Sequence, residues 1–214
     1  MRPLLLSFAL LGAASSLSAQ SKCLAEVKFP AAGRWAEYKA LLKQDPYTLR
    51  YAVIGSETRQ GKNLQWVEIQ MKDQKATQNL IYQILVPGSL TEMDQVEEIV
   101  FKSGEKPAMK LTGPMLGMIR NQIQKQSLYG DMCKAVTLVG REKVTVPAGG
   151  FEALHFRSSE NSSDSWISSS VPFSLIKSTG KDYSVELIDQ GAGAKSSITE
   201  TPQEMPAMET SPSR

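Results

Sequence analysis

LRYAVIGSETRQGKNLQWVEIQM, residues 49–71, decides the fold of this chain. Leu49, Tyr51 and Val53 alternate with Arg50 and Ala52, the period of a half-buried strand. Gln60-Gly61-Lys62-Asn63 is a hairpin-type turn. Beyond it Trp66, Glu68 and Gln70 fall on one face and Val67, Ile69 and Met71 on the other. A long antiparallel hairpin is the only arrangement that satisfies both alternations and the turn between them.

The same pattern spreads outward. Gly33 to Tyr38 predicts a strand carrying Trp35, and Asn79 to Val86 predicts another that stops at Pro87-Gly88. Within Glu92 to Lys102, helical spacing competes with the strand core Ile99-Val100-Phe101, and the C-terminal end reads as strand. Ala135 to Val139, Val144 to Val146, Phe151 to Arg157, Ser165 to Ile167, Phe173 to Lys177 and Tyr183 to Ile188 are further short strands. One segment breaks the pattern: in Pro114–Leu128 the residues Met115, Met118, Ile119 and Ile123 form a helical stripe, Pro114 suits a first helical position and Gly130 ends it. The expectation is a mainly β (α+β) chain, a curved antiparallel sheet or half-barrel with one amphipathic helix on its concave face.

The N-terminus reads as an export signal. Arg2 gives the positive region, Leu4 to Ala14 the apolar one, and Leu17-Ser18-Ala19 a small-residue cleavage site. The apolar run is shorter than the ~20 residues a spanning helix needs. Residues 1–19 are thus read as signal peptide, 20–199 as a single β-rich domain, with 21–32 leading into the first strand, and 200–214 as a disordered tail rich in Pro, Glu, Met, Ser and Thr. The expected location is periplasmic or secreted. With 24 basic and 22 acidic residues in the whole chain, nothing suggests a nucleic-acid surface, and no later apolar run suggests a membrane-spanning protein.

Cys23 and Cys133 are the two cysteines. In an exported chain pairing is the default. A lipid-modified Cys23 and free thiols are the alternatives, though Lys22 is wrong for a lipoprotein signal.

Val144-Thr-Val-Pro-Ala-Gly-Gly-Phe151, Asp164-Ser-Trp-Ile-Ser168 and Val171-Pro-Phe-Ser-Leu-Ile-Lys177 together resemble the C-terminal pattern of the LolA/LolB-like and related DUF3108-like bacterial envelope proteins. The resemblance implies an incomplete barrel wrapped on helices, holding lipid or acyl chains in several members. No ligand arginine of the lipoprotein carriers maps onto this sequence.

Other chemistry has little support. His155, the single histidine, lies mid-strand with no nucleophile elbow nearby and reads as structural. One histidine and two cysteines do not make a usual zinc site. Glu97-Glu98 reads as a solvated face, and Gly191-Ala192-Gly193-Ala194 as a flexible exit rather than a phosphate loop. No catalytic residue, metal or cofactor is expected. The leading functional reading is an exported, non-catalytic envelope protein whose half-barrel binds a lipid or other hydrophobic small molecule, with Met115, Met118, Ile119, Ile123 and Trp66 as the cavity wall, because thioether chains repack cheaply. The alternative is an envelope interaction or assembly factor with a filled core and a protein partner; a hydrolase is third.

Overall fold

A computed structural model of the chain describes residues 12–43, 45–73, 79–88, 95–112, 115–118, 120 and 132–205. Helix α1 (Gly12–Glu26) comes first. Strands β1 (Trp35–Leu42), β2 (Asp45–Arg59), β3 (Lys62–Asp73), β4 (Asn79–Pro87), β5 (Glu98–Ser103) and β6 (Met109–Leu111) follow as a meander. Then come β7 (Val136–Val146), β8 (Gly149–Ser158), β9 (Asp164–Ile167), β10 (Leu175–Gly180), β11 (Tyr183–Gly191) and the two-residue β12 (Gln203–Glu204). All twelve share one sheet, in the order β12-β6-β5-β4-β3-β2-β1-β11-β10-β9-β8-β7. Every pairing is antiparallel except β12 on β6. The chain is mainly β, a curved antiparallel sheet plus a helix.

The β2–β3 hairpin is in the register its alternation dictates, with Leu49 opposite Met71, Tyr51 opposite Ile69 and Val53 opposite Val67. Its turn uses Gln60 (φ 49°) and Gly61 (φ 77°). Two consecutive left-handed residues give the twist that matches right-twisted strands, and glycine takes that conformation without strain. At the other end of the sheet, Pro147-Ala148 links β7 to β8, and Gly149 sits at φ 129°. This corner curls inward until the Ala148 N–H donates to Leu187 O at 3.2 Å, rolling β7–β11 onto themselves.

The concave face carries the main core. Ala36, Tyr38, Ala40, Tyr51, Val53, Val67, Ile84 and Ile99 of the meander meet Phe156, Ile167, Leu175, Val185 and Leu187 of the rolled half in one buried cluster. Tyr38 also donates to Leu175 O at 3.1 Å, so its hydroxyl is satisfied inside the apolar packing. Burial drives the Tyr51 phenol far above its usual range; it packs edge-on to Tyr38 and beside Phe173.

α1 is held on this cluster by a disulfide between Cys23 and Cys133. The Glu26 carboxylate accepts from the Ser169 N–H at 2.6 Å, and the Lys28 N–H donates to Ser174 Oγ at 2.8 Å. The loop that receives them is strained: Phe173 and Ser174 both have φ near +60° (60° and 59°), rare for a bulky side chain. Ser168 N–H to Ser174 O, Ser174 N–H to Val171 O and the full burial of Phe173 hold it there.

Several expectations need correction. The segment read as leading into the first strand is helical as far as Glu26. Strand β6 has too few residues for its alternation to be seen. Ile99-Val100-Phe101, by contrast, is strand as expected, within β5. Of the helix expected over 114–128, Met115–Met118 and Arg120 are helical, and Arg120 is tied to Val96 by a hydrogen bond to its carbonyl; the rest, Ile119 and Ile123 included, lies outside the described residues. Glu98, read as part of a solvated face, is buried and bonded to Arg59 (2.8 Å) and Lys110 (3.0 Å). Of the residues read as the start of a tail, Glu200 pairs with Lys102 and Gln203–Met205 run along β6, whereas 206–214 lie outside the described residues.

Candidate functional site on the concave face

The two ends of the concave face differ. Around Val53, Val67, Ile84 and Ile99 the side chains are sealed from water. Further along the same strands, two positions on in β3 and β4 and past the buried Tyr51 and Leu49 in β2, they are only half-buried. Tyr47 of β2, Ile69 and Met71 of β3 and Tyr82 of β4 all lean on the core cluster with part of their surface open. Ile69 is directly opposite Tyr82, and Tyr82 is opposite Phe101, with ring centroids 5.0 Å apart. Burial raises the Tyr82 phenol above its ordinary range, so it is neutral at physiological pH. Met115 and Leu116 of the helical stretch pack on the same cluster and are also half-buried. Tyr47, Ile69, Met71 and Tyr82 thus form a half-open mouth of aromatic, thioether and branched side chains, with Asp73 directly opposite Tyr47 on the same face.

The residues expected to form a cavity wall do not all gather at this mouth. Met115 packs on the core cluster. Met118, on the same helical turn, is 61% exposed. Trp66 is on the opposite side of the sheet, packed with Ile81, Val100, Ala108 and Ile198, its indole N–H on Glu57 at 3.1 Å. Ile119 and Ile123 lie outside the described residues. Tyr47, Ile69, Met71 and Tyr82 were missed as a group. Their alternation was visible, but which end of a strand stays uncovered depends on what packs above it.

His155 is a strut. Its Nε2 is 2.6 Å from Asp164 Oδ1, its Nδ1 3.1 Å from Glu142 Oε1, and its ring stacks on Trp166 at 4.4 Å. The Trp166 indole donates to the same Glu142 oxygen. With a carboxylate on each ring nitrogen, neither is free to take a proton from a serine, as triad chemistry requires. Asp164 is pushed up by burial, but the hydrogen bonds from His155 and Arg157 outweigh this and hold its carboxyl below the usual range. From Trp166 the row continues across the strands through Lys177 to Glu186, whose side chains pair at 2.7 Å. Among the described residues, no three His, Cys, Asp or Glu side chains converge as a metal site, and no helix is long and apolar enough to cross a membrane.

The outer face of β3–β5 carries a second polar centre. Glu68 is wholly buried. Its Oε1 accepts from Gln70 Nε2 at 2.7 Å, and its Oε2 accepts from Gln83 Nε2 at 2.8 Å and from the Ser197 N–H at 2.9 Å. The cover is the chain's own C-terminal segment. Gly191 lets it leave β11 under Trp35, since a Cβ there would lie 2.7 Å from the indole. Trp35 Nε1 then donates to Ala192 O, and Ala194 N–H to Gly33 O. Gly191–Ala194 is therefore a fixed crossing and not a flexible exit. Ile198 next enters the apolar patch beside Trp66, which contributes on the order of 2 kcal/mol.

No protein-family profile matches this chain, and no curated protein matches it. Among solved structures, it is similar to a candidate lipoprotein from Parabacteroides distasonis, with a TM-score of 0.41 and 12% identity over 78% of this chain and 99% of that one. A candidate exported protein with a YmcC-like fold from Bacteroides fragilis gives a TM-score of 0.37 and 8% identity, again over 78% and 99%. Both descriptions are of envelope or exported proteins, and neither is LolA/LolB-like or DUF3108-like. Likenesses this distant carry no argument about function, which rests on the chain's own geometry.

Proposed function

We propose that this chain works outside the cytoplasm, freed by cleavage after Ala19, as a non-catalytic envelope protein that holds a lipid or another hydrophobic small molecule. The observation that carries the reading is the half-open mouth of Tyr47, Ile69, Met71 and Tyr82 beside the sealed core of the concave face. Apolar surface left in contact with water costs about 25 cal/mol per Å², and an acyl chain laid across it would recover that. Methionines suit a ligand of variable shape. The Cys23–Cys133 bond agrees with an oxidising compartment. The likeness of residues 144–177 to the LolA/LolB-like and DUF3108-like group points the same way.

Native mass spectrometry with solvent extraction, on protein exported and purified without detergent, tests this. The expected result is a bound mass that extracts as lipid and is lost in Tyr82→Glu, which puts a charge in the mouth while the near-UV circular dichroism is kept. A clean apo mass from the unaltered protein would reject ligand holding and turn the mouth into a docking surface for an envelope protein partner. A lipid retained by Tyr82→Glu would place the ligand elsewhere.

A further inference from the structure

The outer-face groove over β3–β6 meets the C-terminal segment as a receptor meets a peptide. Recognition is position by position along a segment that bends at Ser197 and Glu200 before it joins the sheet at Gln203–Glu204. Ser196 Oγ accepts from Gln83 Nε2 at 2.6 Å, and Ser197 gives its N–H to Glu68 and takes Gln70 Nε2 on its hydroxyl at 3.2 Å. Ile198 fills the pocket of Ile81, Val100, Ala108 and Trp66. Glu200 meets Lys102 at 2.5 Å. Gln203 N–H then donates to Ala108 O at 2.8 Å and Met205 N–H to Lys110 O at 3.0 Å, adding a parallel strand to the edge of β6. Backbone pairing at a sheet edge with alternate side chains in pockets is how β-augmentation domains read linear peptides.

The groove is also built to need an occupant. Without residues 196–205, the Glu68 carboxylate loses its one main-chain donor and the edge of β6 is bare, the exposure that natural sheets avoid. We infer that this groove is a linear-peptide site, filled in cis by residues 196–205, and that it takes in trans a partner segment of the same chemistry: two small hydroxyl residues, an aliphatic residue and, two positions on, an acidic one. Lys102 supplies the charge complement for that last residue. The tethered copy acts at high effective concentration, so a partner gains the groove when the latch is weakened. This holds whether or not the concave face carries a ligand.

The test uses the full chain with Ser197→Pro and Ile198→Asp, which remove the N–H on Glu68 and the pocket-filling side chain. A fluorescent peptide of residues 195–205 should bind this variant saturably and at least tenfold more tightly than it binds the unaltered chain. Adding Lys102→Glu should weaken the peptide, and a peptide carrying Glu200→Lys should restore binding. Should the latch variant fail to fold by circular dichroism, the same peptide with a photoreactive group in place of Ile198 is used in excess on the unaltered chain, and crosslinks to β3–β5 are expected. A folded variant that ignores the peptide, binding indifferent to the Lys102/Glu200 charge exchange, or crosslinks that map away from those strands would overturn the proposal.

Discussion

Glu68 and His155 are both charged-type side chains set into the same sheet, and they are satisfied in opposite ways. His155 draws its partners from neighbouring strands: Asp164 is nine positions away, and Glu142 lies on β7 next door. Its carboxylates keep contact with water, their side chains being 24% and 49% exposed. Glu68 is sealed, and one of its three donors comes from Ser197, 129 positions along the chain. A polar group solved locally can be re-solvated if its partner is lost. A polar group solved by a distant segment cannot, until that segment lifts away.

The largest effect is therefore expected at Glu68. Gln83→Leu removes a donor from a wholly buried carboxylate and should lower stability by about 2–3 kcal/mol, read by urea denaturation. The Glu68→Leu/Gln83→Leu pair also takes the acceptor from the Ser197 N–H and Gln70 Nε2, so it should cost at least as much as Gln83→Leu alone; a pair that costs less would show that the buried carboxylate itself is a net burden. At His155 the penalty should be smaller. His155→Phe keeps a ring against Trp166 and leaves two carboxylates that water can reach, so about 1 kcal/mol or less is expected, and a loss matching that of Gln83→Leu would erase the distinction.

The smallest effect is a pH dependence. Asp164 has its folded pKa held below the unfolded one, so it adds stability above the ordinary carboxylate range and loses it as pH falls through the depressed value. Acid unfolding of the unaltered protein should accordingly be shallower in Asp164→Asn, and identical acid limbs would remove Asp164 from the account.

The same contrast explains what could be read from the amino acids. The strands β2, β3 and β4, their shared register and the turn at Gln60-Gly61 follow from period-2 alternation and local turn chemistry. So does the structural reading of His155, and the Cys23–Cys133 pairing follows from residue type and compartment. The cover on Glu68 is not local. Alternation puts Trp66, Glu68 and Gln70 on one face and says nothing of a serine-rich segment 129 positions away lying across them. That segment, small and polar from Gly191 on, gives no sign of its own that it packs anywhere. Glu98 was misread for a related reason, since Lys110 meets it only once the short β6 is in place. Met115 packs on the core cluster, whereas Trp66 lies in the cluster on the other face, because a tryptophan's type does not say which face covers it.

Ala19 is 4% exposed and lies within α1. A peptidase acts on an extended, reachable backbone, so the cut proposed after Ala19 would have to fall before α1 folds. It would leave of α1 only Gln20–Glu26, shorter than a helix that could persist by itself. The bond from Cys23 to Cys133 would then be the fastening of a stub. The proposed maturation would thus have an order, with the leader removed first and oxidation fixing the short piece of helix afterwards.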